Sequence, residues 1–117
     1  MKSLVKPKDR MAVLVRDNHQ CQYCGTPGLN ACQATVDHII PAIMGGSHLP
    51  SNLRTACKSC NSSRRHASIE DFRLLRTLEA SGLASILSTT QAKSLMQIGI
   101  DLKLTPPFIF HFERATA

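Results

Sequence analysis

Four cysteines carry the clearest chemical signal in the chain: Cys21 and Cys24 form one CxxC unit and Cys57 and Cys60 another. Each such turn can offer two thiolates to one tetrahedral ion about 2.3 Å away, so the two pairs together complete a closed shell of four sulfurs, the arrangement of a structural Zn²⁺. The odd total of five cysteines argues against a closed disulfide set, and in a reducing compartment paired CxxC units are more often metal ligands. Cys32 is left over and is expected to be a small apolar filler or a free thiol. The long interval between the pairs means that the ion pins a loop, strand and loop excursion, and that excursion contains Asp37 and His38.

The elements that position these residues can be read from pattern and punctuation. Pro7 opens a short apolar cluster of Met11, Val13, Leu14 and Val15, which predicts a helix over residues 8–17 ended by Asn18 in a left-handed conformation. The CQYCG stretch is too tight for a long regular element and reads as a metal knuckle. TVDHII is rich in β-branched residues and stops at Pro41, predicting a strand over 35–40 and then a loop ending at Gly45 and Gly46. Ser51 and Asn52 look like helix N-caps ahead of LRTAC, and Ser68 caps a helix whose apolar face is Phe72, Leu75 and Leu78. Gly82 breaks that helix, and Thr90 is expected to cap a third with Leu95, Met96 and Ile98 on its apolar side. Phe108, Phe110 and Phe112 alternate with Ile109 and His111, the period of a short half-buried strand filling a core.

Composition bounds the rest. With 117 residues, 43% of them hydrophobic, only 4% aromatic and no Trp, the chain supports one modest core that a metal cross-link would reinforce. Zinc bound to such a shell contributes roughly 10 kcal/mol or more of apparent free energy. The N-terminal stretch is too charged for a signal peptide or a membrane span, so a cytoplasmic protein with no membrane partner is expected. A net charge of +6 and a pI near 9.4 point to a polyanionic partner, nucleic acid first.

Taken in order, Arg16-Asp17, CQYCG, TVDHIIP with Gly45-Gly46, SNL, and ACKSCN with Arg64-Arg65 resemble the HNH endonuclease family over roughly residues 10–66. The resemblance implies an α+β fold: a small ββα-metal domain at residues 1–68, with flanking helices. A helical extension at 69–117, ending in the short strand, would pack on the same domain. It implies that His38 is the general base, that Asp37 holds one catalytic divalent ion, and that Asn52 orients the histidine-bearing loop. The last motif position, His in many members, falls on Asn61, so the chain is an HNN variant with Asn61 as second ligand of a hard ion, Mg²⁺ or Mn²⁺. His66 is a weaker substitute. Arg54, Lys58, Arg64 and Arg65 are the expected nucleic-acid contacts, whereas Arg73 and Arg76 read as solubilising charge and His19, His48 and His111 as bystanders.

The implied activity is metal-dependent hydrolysis of DNA phosphodiester bonds, leaving 5′ phosphate and 3′ hydroxyl ends. One site per chain implies that a monomer nicks; a double-strand cut takes a homodimer or two encounters. Small proteins of this family act in restriction, mobile elements and phage DNA processing, which makes a phage DNA-processing protein a partner to expect. The alternative is a zinc-stabilised nucleic-acid-binding module without catalysis, against which the retained Asp37 and His38 count.

Overall fold

The computed structural model describes residues 5–114, which divide into two compact units. The first comprises the chain up to His66 together with the segment from Phe110 onward; the second is Ala67–Ile109. Among the described residues no helix is long and apolar enough to cross a membrane.

In the first unit, helix α1 (Pro7–Arg16) starts at a proline whose fixed φ suits the first helical turn and buries Val13 and Leu14. Asn18 and His19 then take positive φ values of 56° and 52°, so the left-handed stop expected at Asn18 is present and extends one residue further. The knuckle that follows is closed by Gly25 N–H donating to Cys21 O and Cys21 N–H donating to Thr26 O, both at 2.9 Å. Strands β1 (Ala34–His38) and β2 (Leu53–Cys57) pair antiparallel, with Asp37 opposite Arg54 and His38 opposite Leu53. Helix α2 (Lys58–Arg64) leaves β2 directly, its N-cap being Cys57, whose sulfur accepts from the Cys60 N–H.

LRTAC is therefore a strand where a helix was expected. Leu53 and Thr55 alternate inward, and pairing with β1 outweighs the local cap signal of Ser51 and Asn52, which instead form a tight turn. Strand β1 is shorter than the 35–40 reading because Ile39 and Ile40 are drawn into the connecting loop. There the backbone of Gly46 presses so closely on Ile40 that a Cβ would lie 1.8 Å from the Ile40 carbonyl oxygen, so only glycine fits.

The C-terminal strand is also corrected. Residues from Phe110 lead into a short helix α5 (His111–Arg114), and the N–H groups of His111 and Phe112 donate to the carbonyls of Tyr23 and Gln22. Bonding to the irregular knuckle gives the segment no strand to pair with. The packing role expected of the phenylalanines is present: Phe110 is fully buried, stacks on Phe112 at 5.6 Å and meets Tyr23 edge-on.

The second unit is a helical pair. Helix α3 (Ile69–Ala80) is capped by Ser68, which accepts from the Asp71 N–H, and buries Phe72, Thr77 and Leu78. Helix α4 (Thr89–Gln97) is capped by Ser88 in a reciprocal box with Gln91, one residue before the helix starts, and not by Thr90. Its buried residue is Ala92, while Met96 and Ile98 lie on the surface, so the expected apolar face does not form. Thr77 Oγ1 accepts from the Phe108 N–H, and Arg73 donates to the Phe108 carbonyl, holding the chain along α3.

Candidate metal centre and active site

The knuckle and the start of α2 bring Cys21, Cys24, Cys57 and Cys60 together with all four sulfurs within 4.8 Å of one another. A tetrahedral ion with 2.3 Å bonds to sulfur sets its ligands about 3.8 Å apart, and the Cys24 and Cys57 sulfurs stand 3.9 Å apart. Backbone N–H groups of Cys24 and Cys60 point at the sulfurs of Cys21 and Cys57, which favours thiolates. A hydrogen bond from Cys60 draws the Cys21 thiol down to about 4 against the opposing effect of burial. Burial pushes the Cys57 thiol up, so without a cation the shell does not hold four thiolates comfortably. Geometry and donor chemistry fit a soft-ligand divalent ion. Cys32 is an exposed free thiol outside this cluster.

Asp37 and His38 end β1 and face opposite sides of the hairpin, as neighbours on a strand must. Asp37 Oδ2 accepts from the Tyr23 hydroxyl at 2.5 Å and from Arg64 Nη1 at 2.7 Å. Arg64, expected on a nucleic-acid face, is instead buried. Its guanidinium also donates to the carbonyls of His38 and Ile39 at 2.7 and 2.6 Å, riveting the end of β1 to α2. Burial, then the Asp37 charge, raises the Tyr23 hydroxyl above its ordinary range, so it remains a donor. The other carboxylate oxygen, Oδ1, has no hydrogen bond among the described residues and is the one able to meet a cation.

His38 faces a partner that sequence reasoning set aside. Its Nε2 lies 2.9 Å from Nδ1 of His48, the rings meeting edge to face at 5.0 Å. Burial, followed by the neighbouring His48, lowers the His38 pKa below its usual 6.5, favouring the neutral ring. The loop that carries His48 is held by Asn52, whose Oδ1 accepts from the Ile40 N–H and whose Nδ2 donates to the carbonyls of Ile40 and Ser47. Gly45 and Gly46 between the two histidines were the available signal that the loop folds back.

Asn61 is half-buried on α2, one turn before Arg64 and so on the neighbouring part of the helix surface, the side from which Arg64 reaches Asp37. Lys58 and Arg65 are exposed, as phosphate contacts require, and His66 is exposed beyond the helix end. Arg54 is half-buried, with its guanidinium carbon 3.5 Å from the Phe112 ring centroid, a cation–π contact absent from the sequence reading.

Residues 21–73 match the family model for HNH endonucleases. Over 105 residues the chain is 28% identical to the CRISPR-associated endonuclease Cas9 of Corynebacterium diphtheriae, an alignment covering 86% of this chain and 10% of that protein. The crystal structure of the type II-C Cas9 enzyme from Actinomyces naeslundii superposes with a TM-score of 0.52 at 23% identity, covering 84% of this chain and 11% of that one. The chain thus spans about a tenth of the length of both relatives. The paired cysteine turns, the antiparallel hairpin and the helix after it stand in the same order as the matched motifs, so residues 21–73 are similar to HNH endonucleases in both sequence and fold.

Proposed function

We propose that this chain hydrolyses phosphodiester bonds in DNA, with His38 as general base and a hard divalent ion, Mg²⁺ or Mn²⁺, held by Asp37 and Asn61. The single observation that carries the reading is the His38 ring: half-buried at the end of β1, shifted toward the neutral form and hydrogen-bonded at one nitrogen only. In the tautomer that donates its Nε2 proton to His48 Nδ1, the ring keeps a free lone pair on Nδ1, and a neutral imidazole with one free lone pair is what a general base needs. His48 is thereby a positioning residue that sets the tautomer and orientation of His38. Asn52, by bonding both sides of the loop, fixes where His48 stands.

In the reaction, His38 takes a proton from a water, the water oxygen bonds to phosphorus in line, and the bond from phosphorus to the 3′ oxygen breaks, leaving a 5′ phosphate and a 3′ hydroxyl. A divalent ion at Asp37 and Asn61, when bound, neutralises charge on the phosphate and the departing oxygen. Tyr23 and Arg64 hold the Asp37 carboxylate still, and the four-cysteine shell, filled by Zn²⁺, holds Tyr23 and α2. Lys58 and Arg65 meet flanking phosphates. One site per chain makes the monomer a nicking enzyme; cutting both strands takes a dimer or two encounters.

One observation favours the non-catalytic binding module: the Arg64 guanidinium already neutralises part of the Asp37 charge. Cleavage of supercoiled plasmid by the zinc-loaded protein and by His38→Ala, with EDTA, Mg²⁺, Mn²⁺ or Ni²⁺, separates the two. Metal-dependent nicking that disappears in His38→Ala, with zinc content and DNA binding kept, is the expected result. DNA binding with no cleavage under any ion would leave the binding module.

A further inference from the structure

Arg16 and Asp17 stand just ahead of the first CxxC unit and take no part in the steps described above. Arg16 is the last residue of α1, and Asp17 is its C-cap. Arg16 Nε and Nη2 donate to the two oxygens of the Asp17 carboxylate at 2.9 and 3.1 Å, a two-pronged pairing that fixes the plane of the guanidinium. Held in that plane, Nη1 donates to the Pro50 carbonyl at 3.0 Å and Nη2 to the Leu53 carbonyl at 2.7 Å. Asp17 adds a bond of its own to the same strand, its Oδ2 accepting from the Thr55 N–H at 2.9 Å.

The two carbonyls that Arg16 grips bracket Ser51 and Asn52, so the clamp takes hold of the tight turn at both of its ends. Asn52 is the residue through which that turn holds the loop: its backbone carbonyl accepts from the Ile39 N–H at 2.8 Å, and its side chain bonds Ile40 on one side of the loop and the Ser47 carbonyl on the other. His48 follows Ser47 directly and meets His38 at 2.9 Å. There is no slack in this chain of contacts, because a Cβ at Gly46 would fall 2.8 Å from Asn52 Nδ2. A displaced turn therefore carries the loop, and His48 with it.

Two simpler roles for Arg16 do not account for this arrangement. Its side chain is 46% exposed, and an ion pair open to water to that extent contributes little to stability. As a phosphate contact it would be poorly placed, since four of its N–H groups are spent on Asp17, Pro50 and Leu53 and the Asp17 carboxylate offsets its charge. We propose that Arg16 is a positioning residue for the candidate base: from the end of α1 it fixes the turn that holds Asn52, and through Asn52 the loop that sets His48 against His38. A planar fork can meet a carboxylate and two carbonyls at once, which a lysine ammonium cannot do, so the place calls for arginine. The inference rests on the nuclease reading for what His38 does, but the geometry of the two histidines can be followed without turnover.

The test compares Arg16→Met, which keeps the stem and loses the donors, and Arg16→Lys, which keeps the charge, with the wild type as zinc-loaded full chains. Ring nitrogen NMR signals of His38 and His48 report whether the two still share a proton, and unchanged zinc content and Tyr23 signals show that a variant folds. Arg16→Met should lose the shared-proton signature. Its kcat for plasmid nicking with Mg²⁺ should fall about tenfold or more, because misplacing a reacting group by about 1 Å costs up to about a hundredfold, while KM and DNA affinity stay within about twofold. Arg16→Lys should fall between Arg16→Met and the wild type in both the histidine signals and kcat, and it carries the same comparison if Arg16→Met does not fold. A raised KM with a shallower salt dependence of DNA binding, restored by Arg16→Lys, would make Arg16 a phosphate contact. Unchanged histidine signals and kcat in a variant that merely unfolds at a lower temperature would make it a stability device. Either result overturns the proposal. If the wild type cuts no DNA under any ion, the nuclease reading fails, and the histidine signals of the variants still decide whether Arg16 positions the pair.

Discussion

The two units of this chain solve the problem of a thin core in opposite ways. The first puts polar groups inside and satisfies them: Arg64, enclosed, donates to four oxygens, and four cysteines converge on one point. The second relies on helix caps and on a small apolar core of Phe72, Leu78 and Ala92, with large apolar residues such as Ile86 and Ile98 left on its surface. A buried polar network is costly unless complete, and when complete it fixes one arrangement. The unit that carries Asp37 and His38 has the network; the other has only ordinary helical packing.

Removing the metal is the strongest way to break this contrast. Chelation of zinc should cost the first unit about 10 kcal/mol or more and unfold it, while amides of α3 and α4 keep their protection in hydrogen exchange. Equal loss of protection in both would mean the units do not differ as argued. Next in size, Arg64→Ala leaves Asp37 and the Tyr23 hydroxyl without their buried cation and should cost about 3–5 kcal/mol in denaturant unfolding. A loss below about 1 kcal/mol would show the network to be dispensable. In the second unit, Ser88→Ala removes the cap and one half of its reciprocal box and should cost about 1 kcal/mol, read as faster exchange in the first turn of α4 alone.

The smallest effect is a pH dependence. Burial works to raise the Asp17 carboxyl, but hydrogen bonds from Arg16 and the Thr55 N–H overcome it and leave it below 3.8. A carboxyl lowered on folding stabilises the fold above its unfolded value and loses that contribution as pH falls through the folded one. The stability gap between wild type and Asp17→Asn should therefore be constant near neutrality and narrow below about pH 4. A gap that stayed open at lower pH would remove Asp17 from the account.

Much of the first unit was legible because its signals are local. The CxxC spacing predicts the metal cluster, Pro7 and Asn18 bracket α1, and β-branched residues around Asp37 mark β1. Ser68 likewise announces α3. What failed depends on contacts distant in sequence. LRTAC is a strand because β1 lies beside it. Arg64 resembles any solvated charge at a helix end until Tyr23 and Asp37 are placed around it. His48 is ten residues from His38, and only the loop closed by Asn52 and Gly46 makes them neighbours.

The return of residues from Phe110 onward to the first unit has a consequence for vectorial synthesis. Tyr23 and Arg54 are synthesised before any of 67–109, and their ring partners Phe110 and Phe112 only afterwards. At about 5–20 residues per second the knuckle and hairpin wait several seconds with that aromatic face bare. The nascent first unit is thus at its most vulnerable to aggregation while the intervening helices are being translated, and its last packing partners come from residues made after them.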